Sequence, residues 1–381
     1  MKKIGIITIL KTNNYGAELQ AYATQAALRK IGYDAEIIDY LFYKNPEHKR
    51  TRRSRPVFKF GLKKRLAEWA YPLVMGLKSL GNSRQNDVRG QRFERFHVDN
   101  TALSTVYKSV DELYDASLDY DVYMVGSDQV WNPGIYSSLL PYMLTFAPKD
   151  KKRVAYASSF GVASIPKDQQ WLYEKYLPEF SSIGVREKNA VGMVKELSNK
   201  EATWVLDPTL LLDKKDWGKI VVSDVHIAEP YVLLYELTPC PYILELAYVV
   251  NRERGLKIVR ICKNAAVEDK DTEILNVVDA GPAEFVSLFA NAEMVITNSF
   301  HGTAFSVNFN KDFYTITPKR KHNNSRQRSL LELFNLQSRL IAEDADFNEV
   351  SRTPIDYDKV NEVLDDERKK SLSFLKNAID G

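Results

Sequence analysis

The chain has 381 residues, 44% hydrophobic and 27% charged, with 53 lysines and arginines against 50 aspartates and glutamates and a net charge of +3. That length suits two ordinary domains of a soluble globular protein. So slight a positive charge, with no basic helix interleaved with stacking aromatics, argues against a nucleic-acid partner.

The opening "MKKIGIITIL" has a basic start and an apolar run, but the run is short and no small-residue cleavage site follows. It reads as a first β-strand rather than a signal peptide. A polar loop, "KTNNYGAE", leads into "LQAYATQAALRKIGY", which has helical periodicity and ends at Gly32, and "DAEIIDY" is a second strand. This βαβ unit implies a parallel sheet. Residues 44–81 then read as an insertion. Its stretch 48–81 is basic at the start and afterwards carries Phe58, Phe60, Leu62, Trp69, Tyr71 and Leu73. A basic, aromatic, amphipathic stretch suits an anionic membrane surface, a possible peripheral contact. The plainer reading is preferred unless the acceptor is membrane-bound: a mobile insertion with solvated charges and apolar residues packed on the first domain.

Further strands are "YDVYMVGSD", "KRVAYASSF", "SSIGVRE" and "ATWVLD", with helix "KNAVGMVKELS" after "GVRE". A second series follows "DPTLLLDKKDW": strand "YVLLYEL", helix "YILELAYVVNRERG", strand "LKIVRIC", helix "PAEFVSLFANA", strand "EMVITNS", a short helix "TAFSVNFN", strand "DFYTITP" and helix "RQRSLLELFNL". The final helix is "VNEVLDDERKKSLSFLKNAI". Two such series imply an α/β protein of two doubly wound Rossmann-like domains facing a cleft. We expect domains at 1–206 and 207–381, with a boundary near Asp207–Trp217, where Pro208 and Asp213 break the pattern. The last helix is expected to cross back onto the first domain. Cys240 and Cys262 are far apart and form no metal pattern, which points to a reducing cytoplasm, and no run is apolar enough to span a bilayer.

Four loops follow predicted strands, where ligands sit in doubly wound sheets. In "TNNYGAELQ" (12–20), Asn14, Tyr15 and Gly16 open a helix whose N–H groups suit an anion or a hydroxyl. The stretch is not GxGxxG, and an ordinary turn capped by Asn13 or Asn14 explains it as well. In "VGSDQVWNP" (125–133), Asp128 beside Ser127 suits a sugar hydroxyl and Trp131 suits a sugar face; a helix cap is the alternative for Asp128. In "GVREKNA" (184–190), Arg186 at a strand end suits a phosphate or carboxylate, with a plain ion pair as the alternative. In "NSFHGTAF" (298–305), His301 sits among Asn298, Ser299, Gly302 and Thr303 where a strand gives way to a helix. Downstream, "KRKHNNSRQRSLL" (319–331) adds cations, Lys321 and Arg326 among them.

Taken together, "NNYGAELQAYA", "VGSDQVWNP", "YASSFG", "GVREKNA", "LDPTLLL" and "NSFHGTAFSVNF" resemble the polysaccharide pyruvyl transferase family over nearly the whole chain. The resemblance implies a GT-B-like, two-domain transferase of the cytoplasm, placed at the inner membrane face if its acceptor is lipid-linked. Its known members transfer the enolpyruvyl carbons of phosphoenolpyruvate to two hydroxyls of a sugar, yielding a pyruvate ketal and phosphate. The sugar belongs to a capsule, exopolysaccharide or cell-wall polymer, and the acceptor is free, lipid-linked or nucleotide-linked.

By position, His301, Arg186 and Asp128 match the family's motif histidine, arginine and acid. Several relatives carry arginine and leucine where this chain has Ser299 and Phe300. The expected roles are Arg186, Arg326 and the N–H groups of Gly302 and Thr303 on the donor's anionic groups, His301 as acid, and Asp128 on the acceptor hydroxyl. Neither a metal nor another cofactor is expected. The rival readings are a nucleotide-sugar-dependent glycosyltransferase of the same architecture and a non-catalytic carbohydrate-binding or assembly protein.

Overall fold

The structure, a computed structural model, describes residues 1–67, 70, 84–222, 225, 227–262, 273–317 and 324–381. It divides into two compact units. The first comprises Met1–Asp87, His97–Leu211 and Lys370–Gly381, and the second Val88–Phe96 and Leu212–Lys369. The last turns of the helix Tyr357–Asp380 therefore belong to the first unit. Ser371 Oγ there accepts the Leu206 N–H, and Asp380 accepts the Tyr33 hydroxyl.

In the first unit, six strands form one sheet: β1 (Lys3–Ile7), β2 (Asp34–Ile37), β3 (Val122–Val125), β4 (Lys152–Ser158), β5 (Ser182–Val185) and β6 (Thr203–Trp204). The order is β2-β1-β3-β4-β5-β6, with every pairing parallel. The second unit has β7 (Tyr231–Tyr235), β8 (Lys257–Ile261), β9 (Ile274–Val277), β10 (Met294–Thr297), β11 (Asp312–Thr317) and β12 (Leu340–Ala342). Their order is β12-β11-β10-β7-β8-β9, again all parallel. The β-rich runs read from sequence are thus the central strands: β1, β3, β7 and β10 are almost wholly buried, as expected of parallel strands covered on both faces. The architecture is α/β with two doubly wound, Rossmann-like units.

Crossover helices return each strand to the next. The helix Tyr15–Lys30 packs its alanine-rich length on the first sheet, and Gly32, at φ +97°, makes the turn into β2. In the second unit, Phe305 of the helix Phe300–Asn308 meets Trp217, Phe285 and Phe289, with ring centroids 4.9–5.8 Å apart. Several elements escape the sequence patterns, among them one long helix and two short strands. The helix Arg84–Asn100 is too polar to show an apolar stripe, and β9 and β12 are only four and three residues long. Among the described residues, no helix is long and apolar enough to cross a membrane.

In a doubly wound sheet, ligands gather beyond the carboxyl ends of the strands where the order reverses. Here the reversals fall between β1 and β3 in the first unit and between β7 and β10 in the second. The close packing that supports β1 can be tested. A Cβ added to Gly5 would lie 2.4 Å from the Tyr120 ring. That ring is held by a hydroxyl bond to Glu36 of 2.5 Å and an edge contact with Tyr123 at 5.5 Å. Gly5→Ala should lower the unfolding free energy by about 1–3 kcal/mol in a urea titration; an unchanged midpoint would mean that the ring yields freely.

Candidate functional site

At the first reversal, the loops after β1 and β3 are tied together. Gly126 N–H donates to Ile7 O (2.9 Å), and Thr8 Oγ1 donates to Ser127 O (2.8 Å). The next strands add their own ends, and β5 delivers Arg186 into this group. Its Nη1 lies 2.9 Å from Asp207 Oδ2 and 3.3 Å from Ser127 Oγ, its Nη2 is 3.8 Å from Asp128, and its Nε is 3.7 Å from Glu187. Ser127 Oγ donates to the same Asp207 oxygen at 3.0 Å, while the other Asp207 oxygen accepts the N–H and hydroxyl of Thr209. Ser159 donates its hydroxyl to Glu187.

The Arg186 side chain is buried among three carboxylates. Burial alone pushes its pKa down, but Asp207, Glu187 and Asp128 outweigh burial and raise it above the ordinary arginine value. A guanidinium so surrounded is a buried counter-ion for carboxylates. An incoming phosphate would meet three negative charges, an arrangement that favours an internal ion-pair centre over the anion clamp expected of Arg186.

Asp128 is the most accessible of the three acids, its side chain 15% exposed against 4% for Glu187 and 0% for Asp207. Its backbone is left-handed, at φ +70°, and its carbonyl accepts the Ser159 N–H at 3.1 Å. That conformation is uncommon outside glycine, although aspartate tolerates it better than most residues. It is held here by a fixed neighbour.

Trp131 does not stack on a sugar. It is 0% exposed, its indole N–H donates to Tyr142 O (3.1 Å), and its ring packs on Phe160 and Phe180 at 5.3 and 5.6 Å. A Trp on a strand-end loop fits either core or ligand, and here the loop turns inward because Trp131 N–H pairs with Ser159 O.

The turn after β1 is also closed to anions. Asn14 Oδ1 accepts the N–H groups of Gly16 (3.0 Å) and Ala17 (3.4 Å), so Asn14 is a helix cap. Tyr15 and Gly16 are buried. The loop already holds an acid. Buried Glu18 accepts the N–H groups of Lys11 (3.2 Å) and Thr12 (2.9 Å) and lies 3.1 Å from His97 Nε2.

At the second reversal the pattern repeats with different residues. Thr297 Oγ1 donates to Tyr235 O (2.6 Å). Asn298 ties the β7 loop to β10, accepting from Leu237 N–H (2.8 Å) and donating to Thr238 O (2.6 Å). Ser299 caps the helix Phe300–Asn308: its Oγ accepts the Gly302 N–H (3.2 Å) and its carbonyl the Thr303 N–H (3.0 Å). Thr303 Oγ1 is 2.8 Å from Thr315 Oγ1. A Cβ on Gly302 would lie 2.4 Å from Thr297 Oγ1, so this glycine lets the helix close on the strand end. The Gly302 and Thr303 N–H groups, expected to hold the donor, are bonded by Ser299, and the Asn298 side chain is bonded to the β7 loop.

His301 is 7% exposed, and its ring meets Phe300 edge-on at 5.2 Å. Arg326, half-buried at the start of the helix Ser325–Leu333, places its guanidinium 5.9 Å from the centroid of the same Phe300 ring. A cation and an imidazole thus share one aromatic ring at the carboxyl end of β10. The neighbouring end of β7 adds Glu236, which accepts the Cys240 N–H at 2.9 Å and whose carboxyl is pushed up by burial. Its position after an apolar strand was the only sequence signal for it. Lys321 lies outside the described residues.

A sequence model described as polysaccharide pyruvyl transferase matches residues 14–320, a range that begins at the Asn14 cap and runs past β11. The chain belongs to the polysaccharide pyruvyl transferase family. No curated protein matches it significantly in sequence.

Among solved structures, this family member is similar to a putative UDP-N-acetylglucosamine 2-epimerase from Listeria monocytogenes (10% identity, 97% of this chain and 91% of that chain covered, TM-score 0.49). It is also similar to the UDP-GlcNAc 2-epimerase from Neisseria meningitidis bound to UDP-GlcNAc (6%, 97% and 94%, 0.49). An E. coli heptosyltransferase is a third similar structure (8%, 96% and 99%, 0.39).

The ion-pair reading of Arg186 separates from a clamp by experiment. Arg186→Met leaves three buried or part-buried carboxylates without their counter-charge, and should cost about 3–5 kcal/mol of stability in urea denaturation. A clamp would instead give a stable variant with weakened anion binding.

Proposed function

We propose that this polysaccharide pyruvyl transferase moves the pyruvyl carbons of phosphoenolpyruvate onto two hydroxyls of a saccharide destined for a surface polysaccharide, forming a pyruvate ketal. Family membership supports the reaction class. The geometry that supports the reading is the Phe300 ring, which the His301 imidazole and the Arg326 guanidinium both approach.

Phosphoenolpyruvate is an enol ester of phosphate and must be protonated at its methylene carbon. His301 supplies that proton, and C2 becomes an oxocarbenium centre. An acceptor hydroxyl adds to C2, losing its proton to a base. Phosphate leaves with the C2–O bond electrons, and the second hydroxyl closes the ketal and passes its proton to the departing phosphate, while the proton taken by the base restores the acid. The products are the ketal and inorganic phosphate, so atoms and charge balance.

Arg326 neutralises the donor's phosphate or carboxylate, which is where a cation lowers the barrier. In the first unit Arg186 acts as a positioning residue that holds the Asp128 carboxylate. With the Gly302 and Thr303 N–H groups bonded to Ser299, a side chain of the later helix is the donor's cation in this reading.

With phosphoenolpyruvate and a panel of free, nucleotide-linked and lipid-linked sugars, we expect phosphate release and a pyruvate-ketal product by mass. His301→Ala should lower kcat about 100- to 10,000-fold. Arg326→Gln should weaken phosphoenolpyruvate binding by roughly 10- to 100-fold, the equivalent of a charge-assisted hydrogen bond. Nucleoside diphosphate released from nucleotide sugars, with no phosphate from phosphoenolpyruvate, would overturn the reading. So would wild-type turnover in His301→Ala.

A further inference from the structure

Between residues 49 and 65 the chain carries nine lysines and arginines and no acidic residue. The segment is fixed to the first unit. Phe58 lies in its core, 6.4 Å from the Tyr173 ring, while Val57 and Phe60 pack against that core. Phe60 also meets Tyr136 at 5.3 Å.

Fixing the aromatic side turns the charges outward. Lys49 pairs with Glu112, and Arg53 with Asp111 and Asp115. Arg50, Arg52, Arg55, Lys59, Lys63 and Arg65 are exposed and make no ion pair among the described residues. The chain is helical over 62–67, and there Leu62 and Leu66, one turn apart, are 69% and 56% exposed among these cations. Trp171 is 47% exposed and contacts Phe58 edge-on at 6.3 Å.

A merely solvated loop explains the charges but gives no reason for two leucines on the same exposed turn. Unpaired cations around protruding apolar side chains complement one partner best, a surface with negative headgroups over an apolar interior. We infer that this face docks on an anionic lipid bilayer, with the arginines and lysines on the headgroups and Leu62 and Leu66 entering the acyl boundary. The inference uses no residue of either strand-end site and stands apart from the proposed reaction.

The test is sedimentation of the full chain with vesicles of phosphatidylcholine, with and without phosphatidylserine. Binding should require phosphatidylserine and weaken as salt rises. In Arg50→Gln/Arg52→Gln/Arg55→Gln the partition coefficient should fall about fivefold per cation removed. Leu62→Ser/Leu66→Ser should lower it about tenfold per leucine. Circular dichroism should be unchanged in both variants, because the altered side chains are exposed.

Equal sedimentation with neutral vesicles would overturn the inference. Binding indifferent to the leucine changes would reduce the face to simple charge attraction and also overturn it. Absence of vesicle binding, with a fall from dimer to monomer in the leucine variant, would assign the face to a second copy of the chain instead.

Discussion

In each unit, every strand runs the same way, so every carboxyl end lies on one edge of the sheet. Parallel pairing requires crossover connections, and two runs of crossovers leave one point per sheet where the order turns back. That constraint decides which residues can act together. It brings Thr8, Ser127, Asp128 and Arg186 to one edge of the first unit, and Asn298, Ser299 and His301 to the corresponding edge of the second. The same device closes both reversals: a threonine hydroxyl, Thr8 or Thr297, donates to a backbone carbonyl across the reversal.

Once the edges are closed, their polar groups differ in availability. In the first unit the buried guanidinium of Arg186 faces three acids, so that edge already carries a surplus of negative charge. In the second unit the Gly302 and Thr303 N–H groups at the helix start are bonded by Ser299. The positive charge of that edge is supplied from a different helix by Arg326, across Phe300. The Ser299 and Phe300 pair is thus coherent: serine seals the cap, and phenylalanine gives an arginine from later in the chain a ring to rest on.

Much of this was legible in the sequence. Continuous β-branched runs such as those of β1, β7 and β10 mark buried parallel strands, and the placement of His301 after one of them marks a strand-end histidine. What was not legible depends on which strands become neighbours. Arg186 and Asp207 are 21 residues apart, and their pairing follows from β5 lying beside β6. Whether Trp131 faces a ligand or the core is set by Phe160 and Phe180, which arrive from other segments. Asn14 reads equally as a ligand contact or a cap, because a cap uses the same side-chain oxygen that a ligand would. Glu236 gave almost no signal, since a lone acid after a strand is common.

The most direct test of where the donor binds is a titration with phosphoenolpyruvate followed by nuclear magnetic resonance of the histidine ring and arginine guanidinium nitrogens. The account predicts saturable shifts of His301 and Arg326, with Arg186 unmoved in its cage of carboxylates. Shifts confined to Arg186, with the His301 ring silent at saturation, would contradict it.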